Sequence, residues 1–275
     1  MRNQKTILGY ISDIQRFSLG DGDGIRTTVF MQGCNLCCPW CHNPETININ
    51  GSRLFYKHLC VSCGRCKTDE NTCPNGAIKI SGKRMSLDEV FAIITQDTEF
   101  YKKSNGGITL SGGEPLLQID FCTELARKCR ENNISVIIDT AGDVSFETFE
   151  KIIPFTNCFY FDLKTDINGY QKISANGERI YDNLSRLSTI SKTVARIPIV
   201  PGFNDSIAAM ESFAVFLSTI KISGVHLLPF HRLGSGKYKA LGQTYAYEDH
   251  PPTSPETLLR CIDIFTRKHL QCEIE

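Results

Sequence analysis

The chain has 275 residues, 41% of them hydrophobic and 22% charged, which suits one large globular domain or two modest ones. Its formal net charge is zero, so charge gives no reason to expect binding to nucleic acid or to an acidic membrane surface. No apolar run is long enough to cross a bilayer, and the N-terminus lacks the apolar core of a signal peptide. We therefore expect a cytoplasmic protein with neither a nucleic-acid nor a membrane partner.

Apolar runs alternate with amphipathic stretches along most of the chain, which predicts βα units with a parallel sheet. The predicted strands are Thr27–Met31, Gly107–Leu110, Ser135–Ile138, Cys158–Leu163, Val194–Val200 and Gly224–Leu228. The predicted helices are Ser86–Lys102, Leu116–Asn132, Ser145–Ile152, Glu178–Ser191, Asp205–Ile220 and Pro255–Lys268, the first with a Ser86/Glu89 capping box. Six such strands favour an α/β fold, a partial (β/α)6 TIM-like barrel with its functional residues at the C-terminal strand ends.

The number of cysteines, thirteen, is high for a cytoplasmic protein. In a reducing compartment such a number indicates metal binding rather than disulfides. Eight of the thirteen fall between Cys34 and Cys73. The other five are scattered through patterned segments, and we expect them to be buried core residues: Cys122, Cys129, Cys158, Cys261 and Cys272.

The first cysteine group has the spacing C-x-x-x-C-x-x-C through Cys34, Cys38 and Cys41. Three thiolates on one tight loop can hold three corners of a [4Fe–4S] cluster, which leaves the fourth iron free to chelate the amine and carboxylate of a small molecule. With Cys37 the same loop also contains two adjacent C-x-x-C pairs, which is a zinc-like pattern. Adjacent pairs would make a cramped tetrahedron, so we interpret Cys37 as a bystander that faces away from the cluster.

The second group lies in residues 50–82, which interrupt the βα alternation and form an inserted segment within the 1–275 domain. Cys60, Cys63, Cys66 and Cys73 resemble half of a bacterial ferredoxin, so we predict a small ferredoxin-like insert with an auxiliary [4Fe–4S] cluster. Six residues separate Cys66 from Cys73, where three are usual. That departure keeps structural zinc open as an alternative.

Polar residues follow the predicted strands at the ends that should meet in one mouth. They are the turn Ser111–Glu114, then Asp139 and Thr140, Asp162 and Lys164, Arg196, and His231. The two glycines of the turn would let polar atoms of a ligand approach the backbone closely. Asp139, Asp162 and Lys164 could together bind a zwitterion, since they offer acceptors for an ammonium and a donor for a carboxylate.

With these residues in hand, the chain resembles the activating enzymes of glycyl radical enzymes, a family of the radical S-adenosylmethionine superfamily. The resemblance covers nearly the whole length. Its motifs are Asp21–Arg26, Phe30–Cys34, Cys41–Pro44, Ser111–Glu114, Asp139–Thr140, Asp162–Lys164, Val200–Gly202, Leu227–His231 and Lys237–Gly242.

The resemblance implies that the barrel mouth binds S-adenosylmethionine. The residues expected to contact it are Trp40, His42, Gly112, Gly113, Asp139, Asp162, Leu163, Lys164 and His231. Gly112, Gly113 and Asp139 would lie near the methionine amino group, Lys164 would meet the carboxylate, and His231 would reach the ribose side. In some relatives the positions of Asp139, Thr140 and Asp162 hold a monovalent cation.

The activity implied is reductive cleavage of S-adenosylmethionine to a 5′-deoxyadenosyl radical, which removes a hydrogen from a glycine of a partner glycyl radical enzyme. The electron would come from reduced flavodoxin or ferredoxin, and no side chain need act as a general acid or base. Three other functions remain open on the residues alone. They are a radical enzyme acting on a small molecule, an iron–sulfur electron-transfer protein, and a zinc-bound interaction module.

Overall fold

The computed structural model describes residues 7–65 and 73–275. Their strands are β1 (Leu8–Ser18), β2 (Arg26–Met31), β3 (Arg53–Phe55), β4 (Ile78–Ile80), β5 (Lys83–Ser86), β6 (Gly107–Gly112), β7 (Ser135–Thr140), β8 (Cys158–Asp162), β9 (Thr193–Ile199), β10 (Gly224–Pro229) and β11 (Cys272–Ile274). Their helices are α1 (Leu87–Ile94), α2 (Thr98–Ser104), α3 (Ile119–Glu131), α4 (Phe146–Ile152), α5 (Gly177–Ile190), α6 (Ile207–Leu217), α7 (Ser235–Leu241) and α8 (Pro255–Thr266). Short 3₁₀ turns lie at Pro44–Thr46, Lys57–Leu59, Thr95–Asp97, Pro115–Gln118, Ile153–Phe155 and Gly169–Ile173.

The main sheet has the strand order β11-β10-β9-β8-β7-β6-β2-β1-β5. From β2 to β11 every neighbouring pair is parallel, whereas β1 runs antiparallel to β2 and to β5. The six predicted strands correspond to β2 and β6–β10, which lie side by side in chain order. The predicted α/β partial-barrel fold is therefore confirmed.

The sequence patterns missed three strands of this sheet, β1, β5 and β11. β1 lies outside the parallel barrel strands, and only three of its eleven side chains are buried, so its sequence mixes polar and apolar residues without a clean alternation. β5 and β11 are four and three residues long, too short to show a period. In the described part of the chain these two short strands form the edges of the sheet.

The predicted helix Ser86–Lys102 is two helices, α1 and α2, separated by the 3₁₀ turn Thr95–Asp97. Asp97 is fully buried there and accepts hydrogen bonds from Arg16 Nε and Nη2, at 2.8 and 2.5 Å, and from Thr27 Oγ1 at 3.1 Å. These contacts anchor the turn to the sheet and break the helix. The capping box at its start is present, because Ser86 and Glu89 exchange backbone and side-chain hydrogen bonds.

The inner face of the barrel changes from apolar to charged along the strands. Near the strand starts, a small buried cluster contains Ile137, Cys158, Tyr160 and Val194. Alternate residues of a strand share a face, so Asp139, Asp162 and Arg196, each two residues after a member of this cluster, continue the same inner face. The start of the barrel also contains the fully buried Arg26, whose Nε donates to Thr109 Oγ1 at 2.7 Å, and the charged layer of Asp139, Asp162 and Arg196 lies nearer the strand ends.

Outside the barrel, the helices pack on the sheet through one large hydrophobic core. Of the five scattered cysteines, Cys122, Cys129, Cys158 and Cys261 are buried as predicted, whereas Cys272 is only half-buried because it lies on the edge strand β11. Within the predicted insert, β3 and β4 form a separate antiparallel pair. No helix in the described residues is both long and apolar enough to span a membrane.

Candidate active site

The carboxyl ends of the parallel strands open into a cavity of about 660 Å³. The predicted site residues that line it are Cys34, Cys38, Trp40, Cys41, His42, Gly112, Gly113, Asp139, Asp162, Lys164 and His231. Leu163 is the exception, because its fully buried side chain packs in the hydrophobic core and does not line the cavity. It lies between Asp162 and Lys164, so its side chain points to the opposite side of the chain.

The loop after β2 brings three thiols to one wall of the cavity. Cys34, Cys38 and Cys41 line the cavity, whereas Cys37 is exposed and does not, as expected for a bystander. The backbone N–H of Leu36 lies 3.5 Å from Cys34 Sγ, close enough to donate to it. Hydrogen bonds to the rest of the protein fix the loop, for example from Cys34 N to Ile47 O and from Cys37 N to Ile173 O.

Burial raises the pKa of the Cys34 and Cys38 thiols to about 12 and also raises the pKa of Cys41. Thiols this buried ionise only when a positive centre compensates the charge, which is what iron supplies to its thiolate ligands. Three cysteines on one loop, with an apolar wall formed by Leu36 and Trp40, thus fit a cluster held by three protein ligands. In the described ranges no three His, Cys, Asp or Glu side chains are arranged to hold a single metal ion.

The glycine pair at the end of β6 lets this turn pack directly against the backbone of β2 and of the cysteine loop. A Cβ on Gly113 would lie 2.1 Å from Gly33 O and 3.2 Å from Cys34 Cβ, so no side chain fits at this position. Gly112 has a φ of +112°, a conformation that side-chain-bearing residues rarely adopt. Gly112 is therefore required by its backbone conformation and by the adjacent backbone of β2, and Gly113 by the close approach of the turn to the loop that carries the thiols.

Glu114, the last residue of this turn, is fully buried and joins the ends of two strands. Its carboxylate accepts hydrogen bonds from Thr140 Oγ1 at 2.8 Å, Ala141 N at 2.9 Å and Leu116 N at 3.1 Å. Burial raises the pKa of this carboxyl to about 7. Since Thr140 donates its hydroxyl to Glu114 and accepts from Gly142 N, that hydroxyl serves first to hold the strand ends together.

Two carboxylates lie on the charged layer of the barrel, each with one oxygen paired and one free. Asp139 Oδ2 accepts from Ser111 Oγ at 2.7 Å and lies 3.3 Å from Arg196 Nη1. Asp162 Oδ2 lies 2.6 Å from Lys164 Nζ. The Oδ1 atoms of both residues are buried and have no hydrogen-bond partner among the described residues. Buried acceptors without partners are rare, so these two oxygens are available to a donor or cation in the cavity.

The electrostatics of this layer follow from burial and from the closeness of the two acids. Burial, with the charge of Asp162 second, raises the pKa of Asp139 to about 6. Burial works against the charged form of Lys164, yet the Asp162 carboxylate raises the pKa of that lysine above its usual value. Lys164 therefore stays protonated and can bind an anionic group.

Two histidines line the cavity beside the end of the cysteine loop, His42 directly after Cys41 and His231 after β10. The rings of His42 and His231 stack with their centroids 4.0 Å apart, and His42 Nε2 lies 3.1 Å from His231 O. Burial, then the neighbouring His231, lowers the pKa of His42 to about 4. Both rings are neutral near pH 7, because burial also lowers the pKa of His231. This wall offers flat, uncharged surfaces for a heterocycle or a sugar.

The structure adds contacts that the sequence patterns did not predict. Arg196, expected at the mouth of the barrel but not among the ligand contacts, lines the cavity and reaches Asp139. Glu275 also lines the cavity, and its Oε2 lies 3.1 Å from Arg196 Nε. Nothing in the sequence indicates that Glu275 would come close to β9.

The second cysteine group is separate from this cavity. Cys60, Cys63 and Cys73 surround a cavity of about 30 Å³, while Cys66 lies outside the described residues. Partial burial raises the pKa of the Cys73 thiol. Hydrogen bonds from the backbone N–H groups of residues 75–78 outweigh this effect and lower the pKa of Cys73 overall. One of these runs from Ala77 N to Cys73 Sγ at 3.2 Å. A thiol among several N–H donors favours its thiolate form, the form that binds metal.

Comparisons with known proteins agree with this geometry. A family model described as a 4Fe-4S single cluster domain matches residues 20–158. The 4-hydroxyphenylacetate decarboxylase activating enzyme of Clostridioides difficile (strain CD196) is 34% identical over 100% of this chain and 98% of its own length. The pyruvate formate-lyase 2-activating enzyme of Escherichia coli (strain K12) is 35% identical over 96% of this chain and 91% of its own. A radical SAM methyltransferase from Sphaerobacter thermophilus has a similar fold, with a TM-score of 0.59 at 15% identity over 97% of this chain and 77% of that one.

A partial barrel with three cysteines and a glycine turn at its strand ends defines a radical S-adenosylmethionine enzyme with a [4Fe–4S] cluster. The two curated relatives narrow this class further, because each is at least 34% identical to this chain over nearly its whole length. The chain belongs to the family of glycyl radical enzyme activating enzymes, which use S-adenosylmethionine to make a radical that activates a partner enzyme. The resemblance inferred from the sequence motifs is thereby confirmed.

Proposed function

We propose that this chain makes its radical in the 660 Å³ cavity and delivers it to a glycine of the partner enzyme there. The observation that carries the proposal is the pair of unpartnered, buried oxygens, Asp139 Oδ1 and Asp162 Oδ1, beside the protonated Lys164. Together they match the amino and carboxylate groups of a methionine moiety. The three thiols line the same cavity, so the cluster and the methionine moiety would be bound side by side.

In this proposal Cys34, Cys38 and Cys41 hold the [4Fe–4S] cluster and leave one iron without a protein ligand. When bound, the cluster supplies the electron that cleaves S-adenosylmethionine to methionine and the 5′-deoxyadenosyl radical. The N–H of Leu36 hydrogen-bonds to one cluster sulfur ligand, and Leu36 and Trp40, which are 2% and 6% exposed, exclude water from this wall.

The remaining side chains bind and orient S-adenosylmethionine. Asp139 accepts from the amino group, which lies beside the backbone of Gly112 and Gly113 at the cavity wall, and Lys164 donates to the carboxylate. The neutral stack of His42 and His231 lies against the adenosine end. Asp162 holds Lys164 and, with Asp139, offers oxygens to a monovalent cation beside the carboxylate. Trp40 and Thr140 shape the wall without contributing charge.

The partner is a glycyl radical enzyme whose glycine-bearing segment enters the cavity mouth, so the two proteins dock directly. The named partners of the two relatives, a 4-hydroxyphenylacetate decarboxylase and a pyruvate formate-lyase, define the class of candidates. Reduced flavodoxin or ferredoxin supplies the electron in the cytoplasm, where thiols such as these stay reduced.

The direct test mixes the anaerobically reconstituted protein with S-adenosylmethionine, a reductant and candidate glycyl radical enzymes. A glycyl radical signal in the partner by EPR, formed together with 5′-deoxyadenosine, is the expected result. Formation of 5′-deoxyadenosine with no glycyl signal in any candidate would instead point to another substrate. If no 5′-deoxyadenosine forms under any condition, the assignment of the cavity is wrong.

Binding of S-adenosylmethionine should weaken as the pH falls through about 6, the pKa to which burial raises Asp139. Ionised Asp139 accepts a hydrogen bond from the amino group, whereas the protonated acid does not accept it equally well. Affinity should be full above pH 7 and fall by up to roughly tenfold for each pH unit below 6. Equilibrium dialysis without reductant between pH 5.5 and 8 measures this.

Asp139→Asn is the control for that titration, because the amide cannot ionise. This variant should bind more weakly and show no dependence near pH 6. A dependence centred near pH 7 that this variant keeps would point to Glu114, a buried acid whose pKa burial raises to about 7. A wild-type affinity that is flat from pH 5.5 to 8 would remove Asp139 from the binding site.

We further propose that Cys60, Cys63, Cys66 and Cys73 bind an auxiliary [4Fe–4S] cluster in the segment 50–82. The N–H donors around Cys73, and the N–H of Ser62 that lies 3.4 Å from Cys60 Sγ, support metal-bound thiolates here. All four irons would have protein ligands, so this cluster would not bind S-adenosylmethionine. It could relay electrons, assist docking, or brace a segment with little core of its own.

Changing both Cys63 and Cys66 to Ala separates these three roles. Reconstituted iron should fall from about eight to about four per chain, whereas zinc at this site would leave the iron content unchanged. A relay predicts slow cleavage of S-adenosylmethionine with flavodoxin but near-normal cleavage with dithionite. Docking predicts normal cleavage without the partner and poor glycine activation. Bracing predicts that the melting temperature falls before any catalytic defect appears. Activation of the partner at the normal rate with flavodoxin would exclude both the relay role and the docking role.

A further inference from the structure

The motif Lys237–Gly242 is part of the sequence resemblance, yet neither the cavity nor the chemistry above uses it. It lies on α7, which contacts the 3₁₀ turn Pro44–Thr46 and the insert strand β3. Lys237 Nζ lies 2.6 Å from Glu45 Oε1 and 2.7 Å from Asn43 Oδ1. The motif therefore connects α7 to the end of the loop that carries Cys34, Cys38 and Cys41.

This ion pair is partly shielded from solvent. The side chains of Lys237 and Glu45 are 33% and 11% exposed, and neither residue lines the cavity. The backbone carbonyl of Glu45 is fixed by hydrogen bonds from Gln32 Nε2 at 2.7 Å and Ser81 Oγ at 3.0 Å. Since neither residue lies in the cavity, an effect of the pair on the cluster acts through the loop.

The pair reaches the third thiol in two ways. Asn43, which accepts from Lys237, lies with its own backbone N–H 3.4 Å from Cys41 Sγ. The two charges also lie close to that sulfur along the chain and in space, because Glu45 is four residues after Cys41 and Lys237 contacts both Glu45 and Asn43.

We propose that Lys237 and Glu45 are positioning residues that hold the Asn43 N–H on the Cys41 sulfur and keep the charge beside the cluster balanced, which sets its reduction potential. This inference rests on the proposed function, in which Cys34, Cys38 and Cys41 hold the cluster. The potentials of such clusters depend on net charge, on hydrogen bonds to sulfur and on exposure to solvent. The pair of Lys237 and Glu45 contributes to the net charge near the cluster and to the hydrogen bond on the Cys41 sulfur.

The sign of each effect follows from charge. The reduced cluster carries one more negative charge than the oxidised cluster, so nearby negative charge opposes reduction. Without Lys237, the buried Glu45 carboxylate has no counter-charge, and reduction becomes harder. Without the Glu45 charge, Lys237 is unbalanced, and reduction becomes easier. Removing both charges restores the balance.

The experiment is a redox titration of the reconstituted protein, followed by EPR, for Lys237→Gln, Glu45→Gln and the double variant. The Cys38→Ala spectrum, which retains only the cluster of the insert, is subtracted. We expect Lys237→Gln to disfavour reduction and Glu45→Gln to favour it, each by roughly tenfold in the equilibrium constant. Tenfold corresponds to 59 mV for a one-electron couple. The double variant should lie close to wild type, as should Lys237→Arg.

Lys239→Gln is the matched control, because it removes the same charge from the same helix. Lys239 pairs with Glu248 at 2.6 Å, its side chain is 69% exposed, and we expect no shift in potential. Shifts of the same sign in both single variants, or none, would overturn the proposal. If only one single variant assembles its cluster, the sign of its shift still decides the question. Equal iron in Cys38→Ala and wild type would instead show that the cluster assignment itself fails.

Discussion

Replacing Cys38 with alanine should abolish cleavage of S-adenosylmethionine while leaving the fold intact. Cys38 lines the cavity, and burial raises the pKa of its thiol to about 12, so it becomes a thiolate only with a metal to compensate the charge. Two remaining cysteines are too few to hold the cluster. Iron after anaerobic reconstitution should fall from about eight to about four per chain, and 5′-deoxyadenosine should not be detectable.

Cys37→Ala is the matched control, since it removes the neighbouring thiol from the same loop. Cys37 is exposed and does not line the cavity, so iron content and cleavage should stay near the wild-type values. If Cys37→Ala lost the cluster, the ligand set would include Cys37, and the C-x-x-x-C-x-x-C interpretation would be wrong. If Cys38→Ala still produced 5′-deoxyadenosine, the cavity would not be the site of the radical chemistry.

The parallel strands were predictable because their signal is local. β6 to β10 are short apolar runs bounded by glycine, proline or charged residues, and each was predicted within two residues of its observed bounds. The meeting of Asp139, Asp162 and Lys164 in one cavity followed from topology, since parallel strands end at the same edge. The meeting of Cys34, Cys38 and Cys41 at one wall of the cavity was predictable because all three lie on one loop.

What the sequence could not show depends on contacts between distant residues. The break between α1 and α2 arises because Asp97 bonds to Arg16, which is 81 positions away. The Arg196 side chain is held in the site by ion pairs with Asp139 and Glu275, which both lie on other parts of the chain. The pairing of Lys237 with Glu45 spans 192 positions. Spacing along the chain carries no information about such pairs.

The site also has one feature that a motif match would not reveal, which is how few of its polar groups are free. Ser111, Thr140 and Glu114 are all engaged in hydrogen bonds that hold strand ends together. The buried atoms left without a hydrogen-bond partner in the charged layer are the Oδ1 oxygens of Asp139 and Asp162 and the Nε of Arg196, as far as the described residues show. Ligand binding is thus expected to depend on a small number of charged contacts, and removing one should have a large effect.

Lys164→Ala should weaken binding of S-adenosylmethionine by roughly tenfold to a hundredfold, because a charge-assisted hydrogen bond contributes about 1.5–3 kcal/mol. In the proposed binding mode the lysine meets the ligand carboxylate, and its side chain is 12% exposed. Its removal also leaves Asp162 without its partner at 2.6 Å, which adds negative charge where the carboxylate should bind. Equilibrium dialysis of the reconstituted, unreduced protein measures the change.

Two further measurements make that result specific to the ligand contact. Iron content should stay at the wild-type level, since Lys164 is not a cluster ligand. Lys192→Ala removes an equal charge from a side chain that is 55% exposed and 3.9 Å from Asp23, and its affinity should match wild type. A Lys164→Ala protein with full iron and unchanged affinity would mean that Lys164 serves only to neutralise Asp162. The carboxylate of S-adenosylmethionine would then have to be bound by another group, and Arg196, which also lines the cavity, would be the next residue to test.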